Sequence, residues 1–190
     1  MFNFPFEIVE SDKSSLDIKE LRHPIVEQLH KEYEYVTNDI TLGINHDGIL
    51  LYGTNACGKS TLMKAIGLNL VMAQAGFYVA CRKFTYTPYT QIFTRILNND
   101  NIFKAQSSFA VEMSELRTIL NKCDKHSLIL GDELCSGTET TSAISIVYAG
   151  LKTLSDIQCS YLFTSHLHQL TTLDKITSIQ NMKIYHLEIK

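Results

Sequence analysis

Apolar and polar positions along the chain follow strand-like and helix-like periods in turn. The predicted elements are strands at 35–42 and 48–52, a helix at 58–75, strands at 77–87 and 91–96, a helix at 107–121, a strand at 128–130, a helix at 140–154, a strand at 160–164 and an extended segment at 178–189. The first long helix carries Leu62, Ile66 and Leu70 on one face. Strand and helix alternate after residue 52, which predicts an α/β fold with a largely parallel central sheet flanked by helices. Antiparallel strands are predicted ahead of it, near the N-terminus.

A glycine-containing loop joins the strand at 48–52 to the helix that follows. It is Gly53-Thr54-Asn55-Ala56-Cys57-Gly58-Lys59-Ser60-Thr61. The pattern G-x-x-x-x-G-K-[ST] between a strand and a helix predicts a phosphate-binding loop. Lys59 is expected to reach the β- and γ-phosphates of a nucleotide and Ser60 to ligate Mg²⁺, while the helix start favours an anion. An accidental glycine turn before a core helix is the alternative, and it explains less of the pattern.

Polar groups also follow two later apolar strands. Asp132 and Glu133 come directly after the strand at 128–130. In a nucleotide-hydrolysing site the first acid can hold Mg²⁺ and the second can polarise the attacking water. Two adjacent acids at the end of a buried strand are costly unless a cation is near, which argues against a plain surface turn.

His166 follows the next apolar strand and is expected to sense the γ-phosphate. With His168 it forms a His-x-His pair, but no cysteine or acidic cluster supports a metal site there.

Composition narrows the class of protein. The chain has 190 residues, of which 45% are hydrophobic and 19% charged, which suits one folded domain. No apolar run could span a membrane, and no secretory signal begins the sequence. Five scattered cysteines favour a reducing intracellular compartment. A net charge of -3 leaves no strong basic field for gripping nucleic acid.

Taken together, these motifs resemble the ATPase domain of the MutS DNA mismatch-repair family, a P-loop NTPase of the ABC-like type. The resemblance covers nearly the whole chain, in order. It rests on Arg22-His23-Pro24-Ile25-Val26-Glu27, the loop at 53–61, Ile92-Phe93-Thr94-Arg95-Ile96, Gln106-Ser107-Ser108-Phe109-Ala110-Val111-Glu112-Met113, Asp132-Glu133-Leu134-Cys135-Ser136-Gly137-Thr138 and Thr164-Ser165-His166.

The resemblance implies roles that spacing alone does not. It implies ATP and Mg²⁺ as cofactors, and a second MutS-type ATPase domain, as in a homodimer, that completes each site. Ser107 would face the γ-phosphate held by the partner, although a serine at a helix start is also a common cap. Tyr35 and Val36 would contact the adenine, although without the resemblance the better interpretation is that they are strand residues in a core. The loop at 134–138 would cross the dimer interface.

The domain organisation expected from the resemblance is one ATPase domain over 1–190. It would comprise an N-terminal segment with the adenine-side strands (1–45), the P-loop core (46–175) and a shortened terminal strand (176–190). Mismatch-binding, connector, lever and clamp domains do not fit into residues 1–21. Contact with mismatched or branched DNA would therefore run through domains absent from this chain, which implies a fragment or a split gene product.

Several positions depart from the common family pattern, namely Thr54, Ala56, Cys57 and Gly131. They resemble the branch known from giant viruses and octocoral mitochondria, which implies a cytoplasm, viral factory or mitochondrion as the compartment. A thiol at Cys57, among phosphate-facing amides, is expected to be reactive. Cys81, Cys123 and Cys159 are expected to be small core residues.

Three functions stay open at this point. The first is an ATPase that drives conformational switching of a mismatch-repair protein, with weak turnover in isolation. The second is a nucleotide-gated dimerisation module with little hydrolysis. The third is another ABC-like DNA-repair or recombination ATPase, but Gln-Ser-Ser-Phe stands at 106–109 where those families carry Leu-Ser-Gly-Gly.

Overall fold

The computed structural model describes residues 5–29, 32, 34–54, 57–96, 108–135, 139–166 and 169–187, and these form two β-sheets and six helices. The strands are β1 (Glu7–Ile8), β2 (Ser15–Leu21), β3 (Asn38–Leu42), β4 (Gly48–Tyr52), β5 (Lys83–Thr87), β6 (Gln91–Arg95), β7 (Ser127–Gly131), β8 (Ser160–Ser165) and β9 (Met182–His186). The helices are α1 (Val26–Leu29), α2 (Lys59–Gln74), α3 (Ser108–Lys122), α4 (Thr140–Ile157), α5 (Gln169–Thr172) and α6 (Asp174–Thr177).

A five-stranded parallel sheet in the order β6-β7-β8-β4-β9 lies at the centre of the fold. Every residue of β7 and β8 is buried, as are the first four of β4. Parallel strands covered on both faces carry continuous apolar runs, which is why these three segments show no alternation in the sequence. The predicted parallel α/β architecture is confirmed. Its consequence for function is that β4, β7 and β8 end at the same edge.

A smaller mixed sheet in the order β1-β5-β2-β3 packs beside this core. Strand β2 pairs antiparallel with both β3 and β5, which confirms the antiparallel N-terminal strands. The sequence analysis did not include β2, although its residues alternate and bury Leu16, Ile18 and Leu21. Strand β1, which pairs parallel with β5, and the three short helices were also missed.

Alternate residues of the parallel sheet enter two apolar cores. Leu128 and Leu130 of β7 lie in the core shared with α2 and the mixed sheet, whereas Ile129 lies in the core shared with α3 and α4. The mixed sheet is therefore joined to the parallel sheet by a continuous apolar core. Among the described residues, none of the helices has both the length and the apolar character needed to cross a membrane.

Three predicted strands extend too far. Strand β3 begins at Asn38, so Tyr35 and Val36 lie in irregular backbone ahead of it. Strand β5 begins at Lys83, and the aromatic residues Phe77 and Tyr78 are exposed in the connection after α2. Strand β9 begins only at Met182. In each case the apolar or β-branched pattern runs past the residues that find a hydrogen-bonded neighbour.

Gly131, at the end of β7, has a steric reason to lack a side chain. A Cβ at this position would lie 2.2 Å from Cε1 of Phe163, on the neighbouring strand. The ring of Phe163 therefore fills the space that a larger residue at 131 would take, and the two positions form one packing unit.

Two exposed residues have a left-handed backbone, and substitutions at both positions test how this backbone affects the free energy of unfolding. Gln158 ends α4 with φ of 62°, and Gly76 follows α2 with φ of 80° and open space around its Cβ position. Gln158→Gly should raise the free energy of unfolding by about 0.5–1 kcal/mol, because glycine adopts this backbone without steric cost. Gly76→Ala should lower it by about 1 kcal/mol. Urea unfolding measures both, and equal signs for the two variants would contradict this account.

Candidate active site

The phosphate-binding loop lies between the end of β4 and the start of α2. Gly58 immediately precedes the helix with φ of 95°, a left-handed backbone that suits glycine. The side chain of Lys59 is buried, and its Nζ donates to the carbonyl oxygens of Gly53 at 2.8 Å and Thr54 at 2.9 Å. These bonds hold the ammonium inside the curve of the loop, where the helix start adds its partial positive charge. Asn55 and Ala56 lie outside the described residues.

Ser60 and Asp132 are brought together although 72 residues separate them in the sequence. The Ser60 hydroxyl donates to Oδ1 of Asp132 at 2.9 Å, and Thr164 donates to the same oxygen at 2.6 Å. Asp132 is buried, with 7% of its surface exposed. A hydroxyl and a carboxylate side by side at a strand edge are oxygen ligands of the kind that Mg²⁺ takes. Thr61 follows Ser60 in the first turn of α2 and is half-buried.

Glu133 and His166 face each other at the open side of this edge. Nδ1 of His166 lies 3.8 Å from Oε2 of Glu133, and the two side chains are 40% and 27% exposed. That distance is too long for a hydrogen bond. Glu133 has φ of 46°, and its backbone N–H donates to Thr164 Oγ1 at 3.0 Å.

The turn after Glu133 is held from α3. Oε1 of the buried Glu112 accepts the N–H of Cys135 at 2.9 Å, and Cys135 also has a left-handed backbone, with φ of 61°. Arg95, at the end of β6, accepts the N–H of Asp132 through its carbonyl at 2.7 Å. Its guanidinium lies 4.0 Å from Oε1 of Glu112. Sequence reasoning quoted both residues in motifs but assigned them no contact.

The end of β9 lines the other side of the phosphate loop. Leu187 donates its N–H to the carbonyl of Tyr52 at 3.0 Å, and its side chain would lie 3.8 Å from a Cβ at Gly58. A Cβ at Gly53 would lie 3.0 Å from the Leu187 carbonyl and 2.9 Å from Cys57 Sγ. Gly53 is therefore enclosed, and this contact between residues 53 and 187 had no local signal in the sequence.

The expected adenine-side residues lie next to the Arg-His-Pro motif. Burial raises the pKa of the Tyr35 hydroxyl, which contacts the backbone of His23, whereas Val36 is 62% exposed. His23 is buried and its Nδ1 accepts the N–H groups of Ile25 and Val26, both at 3.3 Å, at the start of α1. Burial, aided by the charge of Lys64, lowers the pKa of His23, which keeps Nδ1 available as an acceptor.

Four cysteines besides Cys57 differ in character. Burial raises the pKa of Cys81 to about 12 and, with help from Glu112, that of Cys135 to about 11. Cys159 is buried, and its hydrogen bond to Cys123 raises its own pKa while lowering that of Cys123. Cys81 and Cys159 are buried core residues as expected, whereas Cys123 is half-buried and packs against the core. Cys57 is half-buried within the loop.

The residues present fit ATP and Mg²⁺. Lys59 and the start of the 16-residue helix α2 suit a phosphate, and Ser60 with Asp132 suits a hard cation. Among the described residues there is no cluster of three or more His, Cys, Asp and Glu side chains. Ser107, His168 and residues 136–138 of the expected interface loop lie outside the described residues.

Comparisons with known proteins agree with this arrangement. Residues 49–190 match the family model of MutS domain V. The chain is 40% identical to a putative DNA mismatch repair protein MutS homologue of Acanthamoeba polyphaga mimivirus, over 92% of this chain and 19% of the relative. It is 42% identical to a mitochondrial MutS homologue of the octocoral Sarcophyton glaucum, over 95% of this chain and 18% of the relative. It is 38% identical to the MutS of Bacillus subtilis, over 92% of this chain and 21% of the relative.

The chain thus spans about a fifth of the length of these relatives. The resemblance to giant-virus and octocoral-mitochondrial proteins is confirmed by the first two.

Lowering the pH should weaken the hydrogen bonds that His23 accepts at the start of α1. Because the pKa of His23 is lowered in the folded chain, the unfolded chain takes up the proton first as the pH falls. The contribution of His23 to the free energy of unfolding should therefore be complete above about pH 6.5 and should decrease below it. His23→Asn keeps a capping side chain without titration and should flatten part of the decline. Urea unfolding between about pH 5 and pH 8 measures the slope; an identical slope in the variant would remove His23 as a cause.

Alkylation of Cys57 should block ATP binding, and saturating ATP should protect, because the added group would occupy the loop beside Gly53. The test needs a Cys123→Ser background, since the lowered pKa of Cys123 makes it a competing target. Mass spectrometry counts the modification and fluorescent-nucleotide titration measures binding. Cys57→Ala in the same background is the control that iodoacetamide should leave unaffected. Undiminished binding after complete modification of Cys57 would overturn the expectation.

Proposed function

Because the chain belongs to the MutS family and carries its P-loop ATPase domain, domain V, we propose that it binds and hydrolyses ATP with Mg²⁺. We propose further that this hydrolysis drives conformational switching of a DNA mismatch-repair protein. The curated relatives are named as mismatch-repair proteins, and the present chain corresponds to about a fifth of each.

One observation carries the proposal: the 2.9 Å hydrogen bond between Ser60 Oγ and Asp132 Oδ1. It joins the first turn of α2, at the end of the phosphate loop, to the acid that follows β7, a strand separated from β4 by β8 in the sheet. A nucleotide with its cation requires both groups at one point, because the metal links the phosphates to the protein. A glycine turn followed by a core helix would give no reason for this contact.

Each residue then has a role that its position supports. Gly53, Gly58 and the loop amides bind phosphate oxygens, and Lys59 balances their negative charge. Ser60 and Asp132 hold Mg²⁺, which when bound neutralises charge on the phosphates. Glu133 orients the attacking water, and His166, on the same open side, contacts the γ-phosphate. Phosphoryl transfer needs mainly such positioning and electrostatic stabilisation.

A second copy of the domain is part of the proposal. Ser107 would face the γ-phosphate held by the partner, and the loop at 134–138 would cross the interface between the two copies. Contact with mismatched or branched DNA would be made by other parts of a longer protein. Five free cysteines among the described residues suit a reducing compartment.

One observation favours a nucleotide-gated dimerisation module with little hydrolysis as the second candidate. Glu133 and His166 remain 27% and 40% exposed, so water reaches the side of the site where both act. A partner surface would exclude that water and strengthen the electrostatic interactions. Sedimentation with and without ATP, run beside a phosphate-release assay, separates the candidates. Binding and dimerisation without phosphate release would favour the second.

Glu133→Gln should keep ATP affinity within about twofold and lower the turnover number by about 10²-fold or more, because the amide cannot take the proton of the attacking water. Phosphate release at saturating ATP and fluorescent-nucleotide titration measure the two effects. The matched control is Glu115→Gln on α3, whose side chain is half-exposed and contacts Arg95. Equal turnover in Glu133→Gln and the wild type would remove Glu133 from the mechanism.

A further inference from the structure

Thr164 occupies a position between the two acids of the site. It is the fifth residue of β8 and only 1% exposed. Gly131, the last residue of β7, pairs with Phe163 of β8, so Thr164 lies beside Asp132, which directly follows β7. Its hydroxyl donates to Asp132 Oδ1 at 2.6 Å and accepts the N–H of Glu133 at 3.0 Å. A hydroxyl has one proton to donate, and donation to the carboxylate leaves its lone pairs free to accept.

These two bonds act on groups that would otherwise move independently. The carboxylate of Asp132 can rotate about its side-chain torsions, and the donor from Thr164 fixes the oxygen that also faces Ser60. The backbone of Glu133 is left-handed, which is unfavourable for a residue with a Cβ and needs external support. That support comes from contacts on both sides of Glu133: Arg95 holds the N–H of Asp132, and Glu112 holds the N–H of Cys135.

We propose that Thr164 is a positioning residue of the ATPase site. Its one hydroxyl fixes the acid that holds Mg²⁺ relative to the backbone of the acid that orients water. Bonds to charged acceptors are short and strong, and the 2.6 Å distance to Asp132 fits that class. This inference rests on the proposed function, because it assigns Thr164 to the same reaction.

The hydroxyl of Thr164 can be removed with little change of shape. Thr164→Val should raise the Mg²⁺ concentration at half-saturation of nucleotide binding by about tenfold and lower the turnover number by about tenfold or more, the scale expected for losing a bond to a charged group. Affinity for ATP without Mg²⁺ should stay within about twofold, because Lys59 and the loop are untouched. Thr164→Ser keeps the hydroxyl and should restore both values to within about threefold.

A threonine far from the acids supplies the control. Thr153 on α4 is exposed and its hydroxyl donates to the Ala149 carbonyl at 2.8 Å, so Thr153→Val should leave every value unchanged. A purely structural role for Thr164 predicts a lower melting temperature with an unchanged Mg²⁺ half-saturation. That result, or wild-type kinetics in Thr164→Val, would overturn the proposal. If the valine variant does not fold, Thr164→Ala is measured in its place against the same criteria.

The positioning role of Thr164 and the hydrolysis of ATP can be tested separately. A wild-type chain that binds Mg²⁺-ATP without turning it over would contradict hydrolysis, whereas the Mg²⁺ half-saturation would still test Thr164. An increase in that value for Thr164→Val, rescued by serine, would support the positioning role even then. A wild-type chain that binds no nucleotide would overturn both.

Discussion

Ser60 and Thr164 donate to the same oxygen of the buried Asp132 carboxylate, and through it the phosphate loop, β7 and β8 meet. A buried carboxylate is tolerated only where hydrogen bonds or cations compensate for the loss of water. Here the two hydroxyls supply that compensation within the protein. The arrangement depends on parallel pairing, since only strands that run in the same direction bring the ends of β4, β7 and β8 to one edge. The geometry of the site follows from this pairing.

Much of the central fold could be predicted because its signals are local. The runs at 48–52, 127–131 and 160–165 are apolar enough to be recognised as buried strands, and each is followed within a few residues by polar groups. The glycines and lysine of the phosphate loop stand at a spacing that few other structures require. Helix α2 was predicted to within about a residue, since its apolar face repeats with the helical period.

The rest depends on contacts between residues far apart in the sequence. Nothing near Thr164 indicates that its hydroxyl bridges two acids, because that depends on the register between β7 and β8. Leu187 lines the loop for the same reason, through the pairing of β9 with β4. The pKa of the half-buried Cys123 thiol is lowered by a hydrogen bond with Cys159, which lies 36 residues later in the sequence. Phe77 and Tyr78 show the opposite error: their aromatic character suggested a strand, but no neighbouring strand pairs with that part of the chain in the described structure.

The pairing of β4 also has a consequence for how the protein is made. This strand leads directly into the phosphate loop, yet its two neighbours, β8 and β9, lie more than a hundred residues later in the chain. A ribosome therefore exposes the loop long before either neighbour exists, and β4 remains an unpaired apolar segment until residues 160–186 have emerged. Contacts so distant in sequence form slowly and leave edges open meanwhile. The nucleotide loop is consequently among the first parts of the site to be synthesised and among the last to acquire its final shape.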